Sequence, residues 1–432
     1  MAIRHSFCLL FAALISVSGN LWAQTAPYWA QGPSYSPAGY GSYPDQPYAA
    51  PGVSSYQQAG YYHPNQMPPQ DIFVPDANII TTDPGDDRPL GLFLQSTFAR
   101  SWVRLEYMNW SLDAPGNQLL GAQFDEATGV VDVRDPFPVF DGNAQFLGFA
   151  HVNDLSTISI EDNNGIRGTF GKETTWGEFQ ANVWGIEAAT GRFVDPTLPE
   201  IGVFAGTTTT TQGALSNNVF LWDESFTANY STDLWGGEVK FLLDRGVWPE
   251  GFSLRPLVGF QYVEIEDHLV QIGQFNAQGT QITRTGIIDS RLMNTMFGPT
   301  LGAHMKGEIG PVTIGFEPKV ALALSSIRGR VSTFQLRSFA DGLDAEEDTN
   351  WTLAPILQAN FYLRIRVNEY LSLFGSWDAS YFTRVGRAGD SIDYNDNATF
   401  ANPNPPPDIG YTKVLNGLFM EGFTFGGELM LW

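Results

Sequence analysis

Phe423-Thr424-Phe425-Gly426-Gly427-Glu428-Leu429-Met430-Leu431-Trp432 closes the chain. Apolar residues alternate with small or polar ones, and an aromatic ring takes the last position. A terminal aromatic on an alternating strand is the signal that outer-membrane barrel assembly machinery reads, and it sets an amphipathic ring at the membrane–water interface. Two parities compete for the lipid. Counting back by twos from Trp432 reaches Met430 and then Glu428, and a carboxylate facing lipid is costly. The other parity, Leu431, Leu429, Gly427, Phe425 and Phe423, makes the better lipid face. Phe423, Phe425 and Trp432 are therefore the candidate assembly residues. A secreted soluble protein can also end in a strand and a Trp, so the rest of the chain must decide.

The opposite end reads as a signal peptide over residues 1–23. Arg4 and His5 give a positive start, 7–17 is an apolar core, and Leu21-Trp22-Ala23 offers a small residue for cleavage. The single cysteine, Cys8, lies in this core, so cleavage leaves a chain without disulfides, thiol chemistry or Cys-ligated zinc. No other segment has the eighteen or so consecutive apolar residues of a transmembrane helix. A mature chain that sits in a membrane would then have to be a closed barrel, which satisfies its own backbone there. Its net charge is near −24 (23 Lys+Arg less Arg4 is 22, against 46 Asp+Glu), which argues against a nucleic-acid partner.

Residues 24–94 differ in composition from the rest of the chain. The part 24–70 holds eight Tyr and nine Pro with much Gly, Ser and Gln, and no Lys or Arg. Such a composition cannot bury a core, and it reads as a disordered tether. A Tyr-mediated contact with cell wall is the sharper alternative. From 95 onward period-two alternation dominates, as membrane-facing barrel staves require.

The stretch 312–324 is the cleanest, with Val312, Ile314, Phe316, Val320, Leu322 and Leu324 opposing Thr313, Gly315, Glu317, Lys319 and Ala323. Similar alternation runs through 102–112, 166–185, 234–243, 254–262, 295–305 and 418–432. Residues 353–365 and 371–381 form a hairpin about a tight turn near Asn368-Glu369. Many of these strands are nine to thirteen residues long. Globular strands average nearer five or six, and a tilted membrane strand needs about nine to eleven. The fold class is all-β: a transmembrane antiparallel β-barrel of about ten to twelve strands over 95–432, with a disordered N-terminal segment. Two less regular stretches, 144–152 and 218–227, supply the upper count.

The polar faces carry the candidate pore lining: Arg104, Glu106, Glu238, Lys240, Arg255, Glu317, Lys319, Arg364, Asp378 and Arg384. Across all polar faces five acids (these four and Glu178) meet nine bases (these six with Arg167, Lys306 and Arg366). One expectation is a net basic lumen that favours anions behind an acidic mouth at 341–348 and 390–396. The other is a small barrel filled by ion pairs and closed.

Five runs go beyond alternation. They are Leu105-Glu106-Tyr107-Met108-Asn109-Trp110; Leu234-Trp235-Gly236-Gly237-Glu238; the run 259–269 from Gly259 through Glu264, Glu266 and Asp267; the run 294–302; and the run 380–393 with Arg384, Arg387 and Asp390. In this order they resemble the putative beta-barrel porin-7 family of bacterial outer-membrane proteins, over Trp102 to Trp432. The chain departs from the family at Arg387-Ala388-Gly389-Asp390, where a Pro-Gly-Asp turn is expected. The resemblance implies a barrel and carries over no substrate or functional residue.

Catalytic chemistry finds little footing. Of five histidines only His151, His268 and His304 fall in the alternating region, and no spacing suggests a Ser–His pair. Asp393-Tyr394-Asn395-Asp396-Asn397 begins like a calcium loop, but Ala398 stands where Gly is needed and Asn404 where Glu is needed. Glu264 and Glu266 project together, as on a loop rim at a strand end. No enzyme activity, metal or cofactor is expected. The expected partners are outer-membrane lipid and the assembly machinery. The functional expectation is a porin-like channel for small solutes. The alternatives are a structural or adhesive barrel without an open pore and, further off, a secreted polysaccharide-binding β-sandwich.

Overall fold

The computed structural model describes residues 98–113, 116, 118–122, 134–140, 145–158, 160, 163–211, 214–244, 251–276, 283–396 and 407–431. Residues 1–23, where a signal peptide is expected, the 24–94 segment and Trp432 lie outside the described residues. The strands, in chain order, are β1 (Ser101–Leu112), β2 (Phe137–Phe140), β3 (Phe146–His151), β4 (Asn163–Thr174), β5 (Gly177–Val194), β6 (Val203–Thr211), β7 (Ala214–Trp222) and β8 (Ser225–Leu243). They continue with β9 (Phe252–Asn276), β10 (Thr283–Ile309), β11 (Val312–Phe334), β12 (Asp344–Arg366), β13 (Leu371–Val385), β14 (Ile392–Asp393), β15 (Gly410–Tyr411) and β16 (Asn416–Leu431).

Ten of them are staves of one closed barrel, in the order β1-β16-β13-β12-β11-β10-β9-β8-β5-β4. Every neighbouring pair is antiparallel, and β1 closes the ring by pairing with both β16 and β4. Short connections gather at one end, including the link between Ile309 and Val312 and the Asn368 turn. In that turn the Asn368 side chain accepts from the backbone N–H of Tyr370 (2.9 Å) and Leu371 (2.8 Å). The long connections, 113–162, 195–224 and 386–415, gather at the other end. Short periplasmic turns and long outer loops are the outer-membrane arrangement.

Neither irregular stretch adds a stave of its own. Residues 144–152 give β3, and 218–227 span the end of β7 and the start of β8. β3 and β7 belong to a separate four-stranded sheet, β2-β3-β6-β7, built from the loops and joined through the parallel pair β3–β6. Trp222 at the end of β7 docks this sheet on the barrel wall. Its ring lies where a side chain on Gly273 or Gly286 would begin, since a Cβ there would fall 2.1 or 2.3 Å from ring atoms. Only glycine admits the indole so close.

Four staves, β9 to β12, run 23 to 27 residues, far more than a bilayer needs. Along β9, β10 and β11 the apolar side of the strand changes, whereas above Ala354 the inner positions of β12 are Thr352, Asn350, Asp348 and Glu346. The lower part of β9 points Val258, Phe260 and Tyr262 outward and Gln261 inward; above it Glu264 and Glu266 point outward and Val263, Ile265 and Leu269 inward. β11 points Ile314, Phe316, Val320, Leu322 and Leu324 outward, then Arg328 and Arg330, while its inner face passes from Glu317 to Ile327 and Val331. The lower barrel is apolar outside and polar inside, as lipid demands. The upper barrel is polar outside and apolar inside, as water demands. Glu264 and Glu266 thus sit in the middle of a long stave, where Glu264 accepts from Trp235 (3.1 Å) and Tyr262 (2.7 Å). The acidic stretch 344–348, expected in a loop, forms the outer end of β12.

Candidate functional site: the charged lumen and its seal

Ten staves enclose little more space than side chains can fill. In the lower lumen that filling is ionic. Arg167 forks onto Glu106, with Nε and Nη2 each 2.8 Å from a carboxylate oxygen, and both its Nη atoms also reach Asp378 at 3.3 Å. Arg104 joins Glu106 (3.2 Å) to Glu428 (3.5 Å), and Arg364 reaches Glu428 at 3.0 Å. Across the lumen Lys240 pairs with Glu317, while Lys319 pairs with Glu238 (2.7 Å) and approaches Glu317 (3.6 Å). Glu317 also meets His304 Nδ1 (2.9 Å), whose Nε2 meets the Tyr362 hydroxyl (3.0 Å). Arg255 pairs with Glu178 (2.8 Å), which further accepts from Trp102 (3.0 Å) and Gln180 (2.8 Å). A polar cavity of about 170 Å³ remains among these groups.

Nine of the ten expected lining residues therefore meet in one lattice. Arg384 does not. The register of β13 against β16 shifts between Phe382 and Val385, and Arg384 is exposed, its Nη1 3.4 Å from Thr352 Oγ1 and from the Leu353 carbonyl. Arg366 is exposed at the turn end, and Lys306 is turned to Glu308 (3.0 Å). Glu428, the costly residue of the terminal strand, points inward and joins the lattice. The balance becomes six carboxylates (Glu106, Glu178, Glu238, Glu317, Asp378, Glu428) against six bases (Arg104, Arg167, Lys240, Arg255, Lys319, Arg364). The expected net basic lumen is thus corrected: each of the six bases has a carboxylate. Phe423 and Phe425 point outward, 56% and 61% exposed, on the lipid side that parity assigned them.

Above the lattice lies an apolar layer. Met108, Trp110, Trp184, Leu234, Val263, Ile265, Met296, Ile356, Phe382 and Leu418 belong to one contiguous buried cluster, to which every stave except β4 contributes. The Trp110 and Trp184 rings lie 5.9 Å apart within it. Higher still, the segment after β13 turns back into the barrel. The buried Arg387 reaches Asp267 Oδ2 (2.9 Å) and the Tyr230 hydroxyl (2.8 Å), and Ala388 N–H donates to the same carboxylate (3.2 Å). Tyr230 and Thr232 donate to Asp267 as well. Asn294 clamps Gly386 from both sides, accepting from its N–H (2.8 Å) and donating to its carbonyl (3.0 Å). Burial opposes the Arg387 charge, but Asp267 and Tyr230 outweigh it and raise its pKa.

Nothing in the spacing of the chain pairs Asp267 with Arg387, although both fall in the distinctive runs. Asp267 shares the inward parity of Arg255 and Gln261, which was the available signal. Of the suspected calcium loop, Asp396 is bound to Arg337 (2.6 Å), Asn395 faces Asp408 (3.5 Å), and Asn397, Ala398 and Asn404 lie outside the described residues. No group of three ligating side chains converges among the described residues. His151, the last residue of β3, meets Asp195 (2.8 Å), and His268 meets Asp289 (2.8 Å) on the outer wall.

A family profile matches residues 102–430. The chain belongs to the putative beta barrel porin-7 family. Among solved structures the porin-7 chain is similar to the outer membrane protease OmpT from Escherichia coli, at 10% identity and a TM-score of 0.39, over 78% of this chain and 98% of that one. It is also similar to an anion-selective porin from Comamonas acidovorans (12%, TM-score 0.12, 76% and 99%) and to a TodX mutant, a monoaromatic hydrocarbon channel (7%, TM-score 0.19, 77% and 90%). No curated protein matches the chain. This porin-7 barrel is a protein of the bacterial outer membrane.

Proposed function

We propose that this barrel is a closed outer-membrane scaffold that holds a loop-built structure at the cell surface and passes no solute. The observation that carries the reading is the apolar layer across the lumen, from Met108 and Trp184 to Met296 and Phe382, lying directly above a charge-balanced lattice. A diffusion pore needs a continuous polar path, and a hydrophobic constriction stops ions by dewetting. The four-stranded sheet and the inserted segment around Arg387 are what such a scaffold would present and support. No catalytic step is assigned: His304 is held between Glu317 and Tyr362 in the lattice. The segment 24–94 would serve as a periplasmic tether, with cell wall as its proposed contact.

Passive diffusion is the second reading, favoured by the polar cavity in the lower lumen. Planar-bilayer conductance of the refolded mature chain separates the two, with heat-modifiable gel migration proving that the barrel has folded. Insertion without discrete current steps is the expected result. Reproducible steps would overturn the closed reading, and their reversal potential in a salt gradient would report the selectivity of the lattice.

A further inference from the structure

Above the lipid-facing band, the outer wall carries three arginines close together on two neighbouring staves. Outward positions of β8 and β9 carry Asp233, Glu264 and Glu266. Those of β10 and β11 carry Arg291, Arg328 and Arg330, with Asp289 two residues above Arg291 and paired to His268 of β9. Arg291 and Arg330 are direct cross-strand partners, Glu347 of β12 lies opposite Arg330 on its other side, and Arg328 is the next outward residue below Arg330. Side chains of like charge placed directly opposite one another destabilise a sheet. Glu266 takes the Nε and Nη2 edge of Arg291, and Glu347 takes Nε of Arg328. Arg330 has no ion pair among the described residues, and the Arg291 and Arg328 side chains remain 62% and 64% exposed.

Height fits one kind of ligand. The last lipid-facing residue of β11 is Leu324, level with Phe297 and Leu353 on the adjoining staves. Arg328 and Arg330 come four and six residues later. At ~3.3 Å per residue and a tilt of roughly 40°, they stand about 10 and 15 Å above the hydrocarbon edge. We propose that Arg291, Arg328 and Arg330 form a docking site for the phosphate groups of outer-leaflet glycolipid. A guanidinium fork matches phosphate oxygens two at a time, and one phosphate between Arg291 and Arg330 turns their repulsion into a shared contact. The site stands whether the lumen below it is closed or open.

The test is native mass spectrometry of the full mature barrel in detergent, titrated separately with diphosphorylated lipid A, with its dephosphorylated counterpart and with inorganic phosphate. The wild type is expected to hold the diphosphorylated lipid about tenfold more tightly than the dephosphorylated one. R330Q, which removes no ion pair, is expected to weaken that binding several-fold. The triple variant R291Q/R328Q/R330Q is expected to abolish the preference. Equal binding of the two lipids by the wild type, or an unchanged preference in R330Q and the triple variant, overturns the proposal. Displacement of the lipid by equimolar inorganic phosphate would also overturn it, making the site one for a free anion. Heat-modifiable migration establishes that each variant is folded.

Discussion

Replacing Asp267 by Asn tests whether an ion pair pins the inserted segment. Asp267 is fully buried and accepts from Arg387, Ala388 N–H, Tyr230 and Thr232. Asn keeps the volume, removes the charge and turns an NH₂ toward groups that all donate. A guanidinium keeps its proton in proteins, so Arg387 stays charged and is left without its counter-ion. Breaking one side of a buried pair costs about 3–5 kcal/mol. At about 1.4 kcal/mol per tenfold, opening of the segment becomes roughly two to three and a half powers of ten easier. The assay is amide hydrogen exchange on the reconstituted barrel, read at Ala388, which donates to Asp267, and at Gly386, held by Asn294. Both should lose protection by that factor, while amides in the lower half of β11 keep theirs. D267N/R387M, which also removes the stranded guanidinium while an amide oxygen still accepts from Ala388 N–H, Tyr230 and Thr232, should recover part of the protection. A loss below tenfold in D267N would refute the pair as the anchor. So would a double variant as loose as the single one, since steric fit would then be the cause.

Two further outcomes concern the wall and the outer sheet. Val320→Arg places a cation on the lipid face of β11, near the middle of the band from Ile314 to Leu324, and should cost about 2–4 kcal/mol in urea unfolding from vesicles; a cost under about 1 kcal/mol would move the band. Burial acts to raise the pKa of Asp195, but hydrogen bonds from His151, Asn153 and Thr197 prevail and hold it well below the ordinary carboxylate value. A depressed carboxylate stabilises the fold above its unfolded pKa of about 3.9, and that gain is lost as pH falls further. The near-ultraviolet dichroism of the outer sheet should therefore decay below about pH 4 in the wild type and lose this dependence in Asp195→Asn; parallel acid curves would contradict it.

Much of the lower barrel was legible because its chemistry is local. A residue's parity says whether it meets lipid or lumen, and for Glu106, Lys319 and Glu428 that is enough to place them in the lattice. Pairing between staves is not local. The partners Arg167 and Glu106, or Lys319 and Glu238, come from strands 61 and 81 residues apart, and no spacing announces them. Arg384 shows a second limit: one bulge before Val385 breaks the count by twos and carries the side chain out of the lumen. The stretches 144–152 and 218–227 show a third, because alternation cannot distinguish a stave from a strand of a surface sheet.

The apolar layer was written in the sequence in a form that a strict period of two overlooks. A stave that is apolar outside below and apolar inside above must change phase, and it can do so by setting two apolar residues side by side. Such doublets occur as Leu234-Trp235, Tyr262-Val263, Met296-Phe297, Ala323-Leu324, Leu353-Ala354 and Tyr381-Phe382, one on each of the six staves from β8 to β13. One member of each faces the lumen, buried, and the other faces outward. On β9 to β12 they stand in direct register, Tyr262 opposite Phe297, Phe297 opposite Leu324, and Leu324 opposite Leu353. The outward members lie at the upper edge of the lipid band, capped on β12 by the exposed Trp351, and the inward members Val263, Met296, Ala323 and Ala354 lie in the apolar layer. The outer edge of the membrane and the floor of the water-soluble core are thus set by the same residues. A substitution that moved one boundary would disturb the other, and a continuous polar path through the lumen would have to break the ring where it also meets the membrane surface.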